Sequence, residues 1–208
     1  MSHLRKTTWL ALLAGVGMVW GWMPGLACAD EVSETKAKKV VVDFFTDLSK
    51  GDAVAARKLL SDDKTAGGQF ADAMAGICKS YADFDKAVTD ALGKGDPDPY
   101  DPRTGMLQSI QNAPAASAAD GSVTVSPGET YKLTIKKTGD EWKITEAIAA
   151  EDFQKIQPAL AAFKTVTEQV AADVHAGKFT SRANAQKALQ DSLTAAARKP
   201  AVPATTQP

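Results

Sequence analysis

Few side chains in this sequence could do chemistry, and they are scattered. The 208 residues include two histidines and two cysteines. His3 lies in the N-terminal leader, so His175 is the histidine of the main chain. A general base needs a positioned partner and a substrate within reach. His175 instead stands two residues before Gly177, near the end of a helical pattern, where the negative end of the helix dipole favours a surface imidazole. Cys78 falls on an apolar helical stripe and reads as a buried core thiol. Its other reading, a reactive thiol or an intermolecular bridge, would need a neighbour that the local sequence does not supply. The serines and cysteines lack the flanking patterns of activated nucleophiles.

Three acidic residues, Asp96, Asp98 and Asp101, alternate with Pro97, Pro99 and Pro102. Calcium takes roughly six to eight oxygen ligands, and its familiar loop has a glycine at the bend and a closing glutamate. Neither is present, so this stretch reads as a solvated acidic loop, as does Asp62-Asp63. Tyr81 sits on an apolar seam and is expected to pack there, while Tyr100 could face a pocket. Gly67-Gly68 reads as a turn, not a phosphate-binding loop. Accordingly, the sequence assigns no catalytic residue, no metal site, no cofactor and no defined ligand-binding residue.

The N-terminus carries the clearest signal. Arg5 and Lys6 form a positive start, Trp9 to Met23 is uncharged and apolar, and Pro24-Gly25 precedes Ala27-Cys28-Ala29, a small-x-small cleavage pattern. Residues 1–29 are read as a secretory signal peptide. A spanning helix needs about 20 apolar residues, and Pro24-Gly25 interrupts this one early. Gly25-Leu26-Ala27-Cys28 also resembles a bacterial lipoprotein box, which makes Cys28 the candidate for lipidation, although Ala27-x-Ala29 suits the ordinary peptidase better. The product is expected to be periplasmic or secreted, and at a membrane only if Cys28 is lipidated.

Removal of this leader takes away Arg5 and Lys6 but no acidic residue, leaving a mildly acidic chain with no basic run. That balance argues against nucleic acid as a partner. Of four tryptophans, only Trp142 lies outside the leader. With Cys28 at the cleavage site, Cys78 has no intrachain partner, so apolar packing must hold the fold.

The elements that would position these residues follow from periodicity. A first helix opens at Ser33 or Thr35, and Val40, Val41, Phe44, Phe45 and Leu48 mark its inner face. Asp52 caps a short second helix, Ala53 to Leu60. A third runs from about Gln69 to Leu92, with Phe70, Ile77, Tyr81, Phe84, Val88 and Leu92 on one seam. Gly93 to Pro102 forms an extended loop. Strand patterns then cover 122–126, 131–137 and 141–148, with Thr138-Gly139-Asp140 as a hairpin loop. This predicts two or three antiparallel strands. Helical spacing returns at Phe153, Ile156, Leu160, Phe163, Val166, Val170 and Val174, where Pro158 should break or kink the helix. Ser181 or Thr180 caps a last helix, Arg182 to Ala197, with a thin stripe of Ala185, Leu189 and Leu193. A proline-containing tail follows and is expected to be disordered.

The fold class expected is α+β, with N-terminal helices on a small curved antiparallel sheet followed by C-terminal helices. The run Val40 to Ala53, with Ala56 and Leu59-Leu60, together with Gly139-Asp140-Glu141-Trp142-Lys143-Ile144, resembles the nuclear transport factor 2-like superfamily over about residues 33–148. The resemblance implies helices packed on a curved sheet as a cone around an apolar pocket. The family's sheet usually has four or more strands, and its enzymes use an Asp, His or Tyr in the cone. No position here matches such a motif. Residues 30–150 are expected to form the cone-like domain, 151–198 a helical extension and 199–208 a tail.

Three functions follow as expectations. The first is an exported noncatalytic domain that binds a small apolar ligand or an envelope protein partner. The second is a cone-fold enzyme, an isomerase or hydrolase, with a buried carboxylate. The third is a structural interaction module using the C-terminal helices. An open apolar cavity would favour the first, a buried carboxylate in a cavity the second, and a sealed core the third.

Overall fold

A computed structural model of the chain describes residues 31–96, 98, 101–128 and 131–198. The leader with Cys28, the residues Pro97, Pro99 and Tyr100, and the tail after Arg198 lie outside the described residues. The order is α1 (Glu31–Ser49), α2 (Ala53–Arg57), α3 (Ala66–Leu92), α4 (Pro102–Gln111), β1 (Ala115–Ser117), β2 (Val123–Val125), β3 (Leu133–Thr138), β4 (Glu141–Glu146), α5 (Ala150–His175) and α6 (Arg182–Arg198). The class is α+β as expected, with helices, then a sheet, then helices.

The sheet has four antiparallel strands in the order β1-β2-β3-β4, one more than the upper end of the sequence expectation. The additional strand, Ala115-Ala116-Ser117, carries no β-branched or aromatic residue, so it left no propensity signal. Its register is set by β2, where Ala115 pairs with Val125 and Ser117 with Val123. In the hairpin β3–β4, Gly139 has φ 64°, a left-handed turn conformation that suits glycine.

Two apolar cores lie end to end. In the first, the inner face of α1 packs against the sheet: Val41, Phe44, Leu48, Leu133, Ile135 and Ile144 are each 1 % exposed or less. Each such side chain contributes about 1.5–3 kcal/mol of burial free energy. The second core joins Tyr81, Phe84, Ala87 and Val88 of α3 to Val170, Ala171 and Val174 of α5 and Ala185 and Leu189 of α6. Helix α3 serves both, since Phe70, Ala71 and Ala75 at its start belong to the first core. The predicted seam is therefore real, and its two halves face different partners. The helices after Glu151 are built onto α3 rather than trailing behind the sheet.

Several expectations are corrected. Helix α2 stops at Arg57 instead of Leu60, because Leu59–Ser61 pairs with β4: Ile144 N donates to Leu59 O and Ser61 N to Ile144 O, both at 2.9 Å. That segment covers the edge of β4. Gly67 and Gly68 lie in the first turn of α3 and are buried, not in a turn before it. Pro102 ends no structure but begins α4, with Asp101 as N-cap, the arrangement in which proline's missing N–H costs nothing. Pro158 neither breaks nor ends α5, which is one helix of 26 residues. Pro158 and Gln154 are both exposed, so the carbonyl that loses its partner faces water.

Candidate functional site

Three of the residues singled out from sequence, Tyr81, Asp98 and Asp101, meet at one place, the C-terminal half of α3 beside α4 and α6. Tyr81 is 2 % exposed, and its hydroxyl donates to Asp98 in the segment between α3 and α4. The helical seam buries the ring, and the polar end reaches the one side where a carboxylate waits. Arg103, in the first turn of α4, lies over the same ring, 5.4 Å from its centroid. Its guanidinium grips Asp101 through Nε at 2.9 Å and Nη2 at 2.7 Å. Asp101 also accepts from the Arg103 backbone N–H at 2.9 Å, so one carboxylate both caps α4 and anchors its arginine.

Asp98 and Asp101 are thus structural partners, a correction to the reading of this stretch as solvated acidic loop. Asp85 of α3 extends the network. Arg182 of α6 donates to it at 2.7 Å and to Thr89 Oγ1 at 3.2 Å, while Arg103 Nη2 stands 4.0 Å away. Neither Asp85, Arg103 nor Arg182 stood out in the sequence. The signal that could have found Arg103 is Asp101-Pro102, an N-cap followed by proline at the first helical position.

Hydrogen bonds and ion pairs make this cluster a clasp joining α3, α4 and α6. Burial, then the hydrogen bond to Asp98, pushes the Tyr81 hydroxyl far above its ordinary range. It therefore stays protonated and acts as a donor. Cys78 lies one turn earlier on α3 and is 1 % exposed. Burial pushes its thiol up to about 11, with Arg103 opposing the rise, which leaves very little thiolate at neutral pH. Arg103 is held charged more firmly than usual, chiefly by its hydrogen bond to Asp101.

The remaining candidates stay apart. His175 is the exposed last residue of α5. Asp62 and Asp63 belong to the loop before α3, where Asp62 accepts from Lys64 N at 2.9 Å, and Asp96 is exposed. No group of three His, Cys, Asp or Glu side chains suited to a metal occurs among the described residues.

Two open grooves mark the surface. One, about 590 Å³, is lined by uncharged groups that include Gln108, Ser109, Asn112 and Ser126. The other, about 330 Å³, holds half-buried Trp142 between Lys36, Lys39 and Lys143, with Asp43 and Glu141 beside them. Against the first core, by contrast, half-buried Tyr131 has a buried hydroxyl without a hydrogen-bond partner among the described residues. Its ring sits 5.8 Å from Phe70 and 6.3 Å from Phe45. Burial pushes this hydroxyl strongly upward as well. No helix among the described residues is long and apolar enough to cross a membrane. Comparison with protein-family models, with curated proteins and with solved structures finds no match to this chain.

Proposed function

We propose that this chain is an exported, noncatalytic domain of the nuclear transport factor 2-like type, whose work is to contact another protein of the cell envelope. Export rests on the N-terminal pattern from Arg5 to Ala29. The family reading is supported by helices that lead into an antiparallel sheet packed on α1, although four helices precede β1. Four strands remove the shortfall expected from sequence.

The observation that carries the partner reading is the filled interior. Where a cone would hold a ligand, Phe44, Leu48, Leu133 and Ile135 close the space between α1 and the sheet, all with no exposed surface. Close packing of this kind leaves no room for an apolar guest. The carboxylates of the α3–α4–α6 cluster are tied to arginines or to Tyr81, which disfavours the enzyme reading.

A second reading keeps one observation in its favour. The unpartnered Tyr131 hydroxyl, buried among aromatic rings, is the sort of group a small ligand with a polar atom would pair with. Native mass spectrometry of the protein purified from a periplasm separates the two. The partner reading expects the mass of the processed chain alone. A bound small molecule, lost on denaturation and absent from Tyr131→Phe, would overturn it in favour of the ligand reading.

A further inference from the structure

Helix α6 is held by few fully buried side chains. Of its 17 residues only Ala185 and Leu189 are buried, with Leu193 partly so against the second core. An isolated helix of this length is marginal in water. Among the described residues, its side-chain hydrogen bonds to other helices all come from Arg182, to Asp85 and Thr89. The others, such as Lys187 to Asp191, stay within the helix.

Arg182 also meets Gly95, in the chain between α3 and α4. A Cβ on Gly95 would come within 2.8 Å of Arg182 Cδ, so this strap rests directly on the arginine's stem. Further along, the strap is fastened through Asp98 to Tyr81 and through Asp101 to Arg103. Arg103 and Arg182 then approach different oxygens of the same Asp85 carboxylate, at 4.0 and 2.7 Å. Three helices, α3, α4 and α6, meet at one side chain.

We propose that Asp85 is the bolt of an ionic latch that holds α6 shut over the second core, and that α6 opens as one unit when the latch is weakened, while the first core stays folded. The physical basis is the disparity in hold. The first core is sealed by many large apolar side chains, whereas α6 is held by buried Ala185 and Leu189, part-buried Leu193 and one arginine. Elements with few buried apolar contacts open locally at lower cost than the whole fold. The Asp85 side chain is 40 % exposed, so dissolved salt reaches and screens the pair. Opening would uncover Val88, Val170 and Val174. The latch stands apart from the partner reading, because it is a property of the protein alone.

Hydrogen–deuterium exchange, read by peptide, tests it in the native protein. Between ~0.05 and ~0.5 M sodium chloride, exchange across α6 should rise about two- to fivefold, with α1 unchanged. In Asp85→Asn and in Arg182→Gln, α6 should already exchange fast at low salt and respond no further. Gly95→Ala should act in the same direction, since its new methyl displaces the arginine stem. The latch is overturned if α6 in the native protein exchanges at the rate of α1 at both salt concentrations. It is equally overturned if α6 in Arg182→Gln keeps its native protection. The salt response of the native protein decides the matter even where a variant does not fold.

Discussion

The carbonyl oxygen of Asp63 lies 1.8 Å from the point where a Cβ on Gly68 would stand, and the Asp63 carbonyl carbon lies 2.7 Å from it. The acidic loop before α3 is therefore laid directly on the helix's first turn. Backbone cannot yield as a flexible side chain can. Gly68→Ala should destabilise the protein by at least about 2 kcal/mol. The neighbouring Gly67 is a control, because its added Cβ would meet Ala147 Cβ and Thr65 Oγ1 at an ordinary 3.4 Å. Gly67→Ala should be neutral or stabilise by up to about 1 kcal/mol through helix propensity. Urea midpoints of the two variants check this, and equal losses would contradict it.

The two tyrosines with buried hydroxyls should respond oppositely to loss of those hydroxyls. Tyr131 has no partner for its oxygen among the described residues, so Tyr131→Phe removes a polar group that burial penalises and should stabilise by about 1 kcal/mol. Tyr81 donates to Asp98, so Tyr81→Phe should cost about 1–2 kcal/mol. Thermal melts of both variants at neutral pH give the comparison. A loss of stability in Tyr131→Phe would mean that its hydroxyl does have a partner in solution.

Alkaline pH should act on Cys78. Its folded thiol is pushed up to about 11 from an ordinary value of 9.0. Between those values the unfolded chain releases the proton while the folded chain keeps it. Stability from this group is thus fully present below about pH 9 and is lost as pH rises toward 11, by about 2–3 kcal/mol in all. Tyr81 and Tyr131 push in the same direction, so the native protein must be compared with Cys78→Ala, which retains both. Urea midpoints from pH 8 to 11 should fall more steeply for the native protein, and parallel curves would show that the thiol is not responsible.

Asp101 has two jobs that substitution can separate. Its Oδ1 caps α4 by accepting from Arg103 N, and both oxygens hold the Arg103 side chain. Asp101→Asn retains a good cap and loses the charge, whereas Asp101→Ala loses both. The alanine variant should be less stable than the asparagine variant by about 1 kcal/mol, as read from urea midpoints. Indistinguishable midpoints would show that the cap contributes nothing measurable.

What the sequence determined by itself was the part governed by local spacing. The inner face of α1, the seam from Phe70 to Val88, the Asp52 cap and the Gly139 hairpin all follow from periods of 3.6 and 2 and from single-residue turn chemistry. The burial of Cys78 and Tyr81 came with the seam. Tertiary structure decided the rest, for identifiable reasons. β1 exists because β2 offers it a ladder, not because Ala115-Ala116-Ser117 favours extension. α2 ends at Arg57 because residues 59–61 are needed at the edge of β4. Gly67 and Gly68 look like a loop in one dimension and prove to be a helix start pressed against backbone.

The clasp was the least legible of all. Asp98 and Asp101 could be noticed, but Asp85, Arg103 and Arg182 are ordinary charged residues on three separate helices. The partners Asp85 and Arg182 stand 97 residues apart, and no local pattern couples residues at that distance. Only the docking of α5 and α6 along α3 brings their charges within a hydrogen bond of each other.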